Sequence, residues 1–134
     1  RLRPTDEPLG PRFDRLRAET VEAGKQVAVL FSADWCEPCQ VLEIELGNMH
    51  PPSVIGDVRI FQIKEEDWEA KTRMDEVNNL RLRWHPTKNS YPVLILLDDE
   101  LEKREEMKEA KARLEAEGLA PTLPNWLQST APQS

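Results

Sequence analysis

Apolar and polar positions alternate along this chain with two periods, and the switches between them outline the elements. Leu9, Phe13, Leu16, Thr20 and Ala23 recur at helical spacing, with Pro11 suited to a first turn and Gly24 to an end. They predict a helix near 11–23, preceded by a loose arm over residues 1–10. Val27-Ala28-Val29-Leu30-Phe31 is an unbroken β-rich run, the pattern of a strand buried on both faces. A helical stretch follows to about Asn48, with Leu42, Leu46 and Met49 on one stripe and Val41 and Ile44 on its flank.

Residues 58–64 alternate and read as a strand; 65–77 read as one charged helix with Ala70, Met74 and Val77 turned inward. Residues 84–91 form a loop, and 93–97 are a second unbroken apolar strand ended by Asp98-Asp99. Residues 100–117 carry helical composition, with Leu101, Met107, Ala110 and Leu114 on one face and Gly118 as the cap. Glu100 with Arg104 and Glu109 with Arg113 would be supporting pairs one turn apart on that helix. A terminal turn over 121–128 would hold Trp126 and Leu127 onto the body, and 129–134 would be a disordered tail. Strands alternating with helices imply an α/β layered fold with right-handed crossovers. Residues 11–128 are expected to form its one domain.

Composition narrows the function. The 134 residues carry a net charge of −7. That balance excludes the basic footprint of a nucleic-acid binder and disfavours docking on anionic lipid. The longest apolar runs, 27–31 and 93–97, are far too short to span a bilayer, so no membrane insertion is expected of this segment. No signal peptide is visible, and with Arg1 in first place that says little about what precedes it.

The two cysteines, Cys36 and Cys39, stand as Cys-x-x-Cys where the first strand turns into a helix. A four-cysteine zinc site is excluded by number. At a helix N-terminus, unpaired N–H groups and the positive dipole end favour a thiolate at Cys36. Cys39, one turn on, can reach back and resolve a mixed disulfide. Pro38 stiffens the turn, and Trp35 shields the pair and offers a platform to a substrate. A bridge across two residues closes too small a loop to be a useful staple, which argues against a purely structural disulfide.

The run Ala33-Asp34-Trp35-Cys36-Glu37-Pro38-Cys39, with the strand 27–31 before it and Tyr91-Pro92 directly before the strand 93–97, resembles the active site of thioredoxin-like thiol–disulfide oxidoreductases. The resemblance spans roughly residues 11–98. It implies a central sheet of three to five strands flanked by helices. It also implies a cis-proline at Pro92, with Pro86 as the rival, beside the cysteines. Tyr91, Pro92 and Trp35 would then shape the substrate groove. The Cys-Glu-Pro-Cys run is similar to bacterial extracytoplasmic members that work as reductases. That implies a periplasmic setting, with a cytoplasmic one as the alternative, protein disulfide substrates, an upstream thiol electron donor and no cofactor.

Three departures stand out. Where thioredoxin carries a buried acid six residues ahead of the first cysteine, this chain has Leu30; where it has a helix proline, this chain has Ile44. Glu37 and Glu43 are the candidate acids for tuning the sulfurs. The helical composition after Asp99 leaves out the last edge strand of the family.

Two other function classes compete. One is a thioredoxin-fold interaction module whose cysteines do not cycle. The other is a copper-handling chaperone using Cys36, Cys39 and a histidine, although neither His50 nor His85 has ligand spacing to the cysteines. Trp68, Trp84 and Trp126 are read as packing residues, with Trp84 a secondary candidate for touching substrate.

Overall fold

The structure is a computed structural model and describes residues 1–47, 57–85, 91–98, 100 and 102–129. The elements run α1 (Leu9–Glu22), β1 (Gln26–Ser32), α2 (Glu37–Gly47), β2 (Val58–Lys64), α3 (Glu65–Glu69), α4 (Met74–Arg81), β3 (Val93–Leu97), β4 (Lys103–Glu106), α5 (Met107–Ala116) and α6 (Leu123–Ser129). The strands form one mixed sheet in the order β2-β1-β3-β4. β1 lies parallel to β2 and antiparallel to β3, and β4 returns antiparallel to β3.

The two unbroken apolar runs are the two central strands, and all of their residues are buried. Because side chains alternate across a sheet, each strand supplies two cores. Val27, Val29, Phe31, Val93, Ile95 and Leu97 point to the face that packs Phe13, Trp68, Val77 and Trp84. Ala28, Leu30, Leu94 and Leu96 point to the other, against Leu42, Ala110, Leu114 and Trp126. Helices therefore cover both faces.

Three expectations change. Residues 100–117 are not one helix: 103–106 pair with β3 as an edge strand, Leu97 opposite Lys103 and Ile95 opposite Glu106, and helix begins only at Met107. The family's last edge strand is thus present. Helical propensity is a weak prior, and here the open N–H and C=O row of β3 outcompetes it. An all-charged Lys-Arg-Glu-Glu strand also suits a sheet edge. The supporting pairs rearrange accordingly. Arg104 reaches Gln26 Oε1 at 3.3 Å. Arg113 bridges Glu105 at 2.8 Å and Glu117 at 3.4 Å, and Lys103 takes Glu109 at 2.8 Å.

The expected helix 65–77 breaks at 70–73, where Thr72 has φ 53°. The break lets Trp68 from α3 and Val77 and Leu80 from α4 face the same core. Finally, α1 starts at Leu9, whose N–H donates to Glu76 Oε1 of α4 at 2.9 Å. The segment expected to be a loose arm buries Leu2, which donates its N–H to Gln62 O at 2.7 Å and accepts from the Trp68 indole at 3.1 Å. An apolar side chain beside an edge strand with free backbone acceptors gains both burial and a ladder bond. The expected turn near the C-terminus is α6, with Trp126 and Leu127 buried; residues 130–134 lie outside the described residues.

Candidate functional site

The site forms where β1 leaves the sheet. Ser32 ends the strand, Ala33 turns the chain, and the Cys36 N–H closes back on Ala33 O at 3.2 Å. Gln40 N–H then donates to Cys36 O at 3.2 Å, starting the helical ladder, and the Gln40 side chain ties down Asp34 O at 2.7 Å. Cys36 is thereby placed at the N-terminal end of α2 and Cys39 inside its first turn. The two are joined by a disulfide, with Cα atoms 5.2 Å apart.

Their surroundings differ. Cys39 is fully buried, whereas Cys36 retains 4% exposure. The Cys39 N–H points at Cys36 Sγ, 3.2 Å away. A backbone donor together with the positive helix end stabilises negative charge on that sulfur. Cys36 is thus the more exposed of the two and the one that a backbone donor faces.

Tyr91 packs against Ala33, Cys36 and Cys39. The Tyr91–Pro92 peptide bond is cis; Pro86 lies outside the described residues. Trp35 is 67% exposed and meets the Tyr91 ring edge-on, centroids 5.7 Å apart at 89°. This indole is held as well as exposed: its Nε1–H donates to Glu65 Oε2 at 2.7 Å. The neighbouring Glu66 accepts the Asp34 N–H on both oxygens at 2.9 and 2.8 Å. Lys64 pairs with Asp34 at 2.7 Å. The end of β2 and the start of α3 therefore pin the turn that precedes the disulfide. Beneath Tyr91 lies the guanidinium of Arg81, a buried cation 5.5 Å from the ring centroid. Burial, and next the negative charge of Glu65, push the Tyr91 phenol above its ordinary value.

The candidate acids fall in different places. Glu37 and Pro38 are exposed, with Glu37 in the first turn of α2, where a negative charge complements the dipole. Glu43 sits one turn beyond Cys39 but is engaged elsewhere: it accepts from Ser32 Oγ at 3.1 Å and from Gln62 Nε2, and lies 3.4 Å from Lys64. Trp84 is in the core, packed edge-on against Phe13 with centroids 5.5 Å apart, not at the site. His85 lies 3.5 Å from Glu106, and His50 is outside the described residues. Among the described residues, no group of three or more His, Cys, Asp or Glu is placed to hold a metal ion. No helix there is long and apolar enough to cross a membrane.

Sequence reasoning missed Glu65, Glu66, Lys64 and Arg81. The first three had a signal. β2 runs parallel to β1, so the C-terminal ends of both strands open on one edge, where α/β sheets gather their functional groups. Arg81 had none, because only tertiary packing slides it under Tyr91.

No protein-family model and no curated protein matches the sequence. Solved structures do match the fold. A disulphide isomerase from Xylella fastidiosa Temecula1 superposes with TM-score 0.54 at 16% identity, covering 96% of both chains. Thioredoxin O1 from Arabidopsis thaliana, in its oxidized state, superposes with TM-score 0.51 at 14% identity, covering 82% of this chain and 93% of its own. The fold is thioredoxin-like. In that thioredoxin-like frame, the disulfide occupies the start of the helix after the central strand, and the Tyr91-Pro92 step crosses beside it at the head of β3.

Proposed function

We propose that this protein is a thiol–disulfide oxidoreductase acting on protein substrates. The observation that carries the reading is the Cys36–Cys39 disulfide at the head of α2, packed under Tyr91. In the reducing direction, the Cys36 thiolate attacks a substrate disulfide, forming a Cys36–substrate S–S bond and releasing one substrate thiolate. Cys39, deprotonated, then attacks Cys36 Sγ. The mixed disulfide breaks, the Cys36–Cys39 bond forms, and two electrons and two protons end on the substrate dithiol. An upstream dithiol protein returns the pair to its reduced form, and no metal or organic cofactor takes part. Trp35, Tyr91 and Pro92 form the surface on which the substrate segment rests, and Pro38 holds the turn.

The reducing direction is favoured by the resemblance of the Cys-Glu-Pro-Cys run to the reducing members of the family. We place the protein in a bacterial extracytoplasmic compartment, on the resemblance of its Cys-Glu-Pro-Cys run to reductases that work there.

An equilibrium titration in dithiol/disulfide buffers, read by thiol alkylation and intact mass, tests the direction. The expected potential lies near the thioredoxin end, at about −270 mV. A value near about −120 mV, the strongly oxidising end, reverses the assigned direction. Absence of any reversible transition removes the activity altogether.

A further inference from the structure

Exposed apolar side chains stand before and after the cysteines in the chain. Trp35, Val41 and Ile44 are 67%, 60% and 66% exposed. Val41 and Ile44 lie three residues apart on α2, so they share a face. Between α2 and the start of α5 runs an open groove of about 500 Å³. Leu42, Met107, Pro38 and Pro92 line it. Pro38 lies between the two cysteines in the chain and Pro92 follows Tyr91, which packs on them, so the groove adjoins the disulfide.

The charge on its rim is opposite to that of the molecule. The chain carries −7, yet Lys108 and Lys111 line the α5 side, and neither has an ion pair among the described residues. Glu45 alone offsets them from the α2 side. On the other side of the disulfide Glu65 and Glu66 hold the turn, with Lys64 paired to Asp34 and Arg81 buried under Tyr91. At physiological salt, charges farther than about 8 Å are largely screened, so a bound segment senses the two lysines more than the rest of the surface.

We propose that this groove seats an extended segment of the protein substrate, with an apolar side chain between Val41 and Met107 and an acidic side chain against Lys108 and Lys111. The proposal rests on the exchange chemistry assigned to Cys36 and deepens it by naming the substrate class. A second copy of the chain is a poorer occupant, because two surfaces of net charge −7 repel.

The test uses the full reduced protein and three disulfides. Two are peptides in which a disulfide-bonded cysteine is flanked by leucine and either two aspartates or two lysines; the third is hydroxyethyl disulfide. The aspartate peptide is expected to exchange about five times faster than the lysine peptide, the scale set by two exposed ion pairs. In the double variant Lys108→Glu/Lys111→Glu the order reverses. In Val41→Ser both peptides slow by a similar factor. Hydroxyethyl disulfide, too small to fill the groove, reacts at the parent rate in both variants. Equal peptide rates, a faster lysine peptide, or a preference that survives charge reversal overturns the proposal. Failure of hydroxyethyl disulfide to react overturns the exchange chemistry itself, and the substrate assignment with it.

Discussion

The two flanks of the disulfide are built on opposite plans. On the Trp35 flank every group is tethered: the indole to Glu65, the Asp34 amide to Glu66, the Asp34 carboxylate to Lys64, and the Trp35 ring to Tyr91. On the α2–α5 flank, Val41 and Ile44 are exposed, and Lys108 and Lys111 have no ion pair among the described residues. A tethered flank costs a partner little ordering, so it suits a fixed platform. An untethered apolar and cationic flank leaves burial and charge pairing to be gained on contact, so it suits recognition. The disulfide sits where the two plans meet.

The strongest way to break this picture is to remove the group both flanks serve. Cys36→Ser should bring disulfide exchange down to the uncatalysed background. Cys39→Ser should accumulate mixed disulfides, visible by intact mass. Full turnover in Cys39→Ser would refute its resolving role.

Next comes a contrast between two tryptophans. Trp126 is buried, with its Nε1–H on Glu105 at 2.9 Å, so Trp126→Ala should cost about 3–5 kcal/mol in urea unfolding. Trp35→Ala, at an exposed position with one hydrogen bond and one ring contact, should cost under about 2 kcal/mol while slowing protein-disulfide exchange about tenfold. A large stability loss at Trp35 would mean that the tethered flank is scaffold rather than platform.

A smaller effect is spectroscopic. Tyr91 is the chain's one tyrosine, so phenolate absorbance reports it alone. Its titration should lie above the usual phenol value, and Glu65→Ala should bring it down, because Glu65 raises it. The raised value means that the folded state holds the phenol proton more tightly than the unfolded chain. Its contribution to stability is complete below the unfolded phenol value, near about 10, and is lost as pH rises beyond it.

The smallest effect lies away from the site. Arg1 holds the Asp67 carboxyl below its ordinary value through a 2.7 Å contact. That pair contributes fully above the unfolded carboxylate value, near about 4, and is lost as pH falls from there through the lowered folded value. Being partly exposed, it is worth under about 1 kcal/mol. Arg1→Ala should lower the unfolding midpoint slightly at pH 7 and by less at pH 3.

Much of this was legible locally. The unbroken runs at 27–31 and 93–97 identified the two central strands, and the Cys-Glu-Pro-Cys run after the first of them carried the fold resemblance and the candidate chemistry. Side-chain period and cysteine spacing are short-range properties, so the chain states them directly. The edge strand 103–106, the break at Thr72 and the anchoring of Leu2 were not legible. Each depends on what another part of the chain leaves open: the free edge of β3, the core beneath Trp68, the outer edge of β2. Glu43 shows the same limit within the site. Its spacing from Cys39 suggested a role at the sulfurs, yet Ser32, Gln62 and Lys64 engage its carboxylate. By itself, the sequence determined three of the four strands and where the cysteine pair sits, at the turn from the first of them into a helix. Only the tertiary structure decided which acids pin the turn before the disulfide, which cation lies under Tyr91, and that one flank is tethered while the other stays open. Those outcomes depend on contacts between residues far apart in the chain, where packing and pairing outweigh local preference.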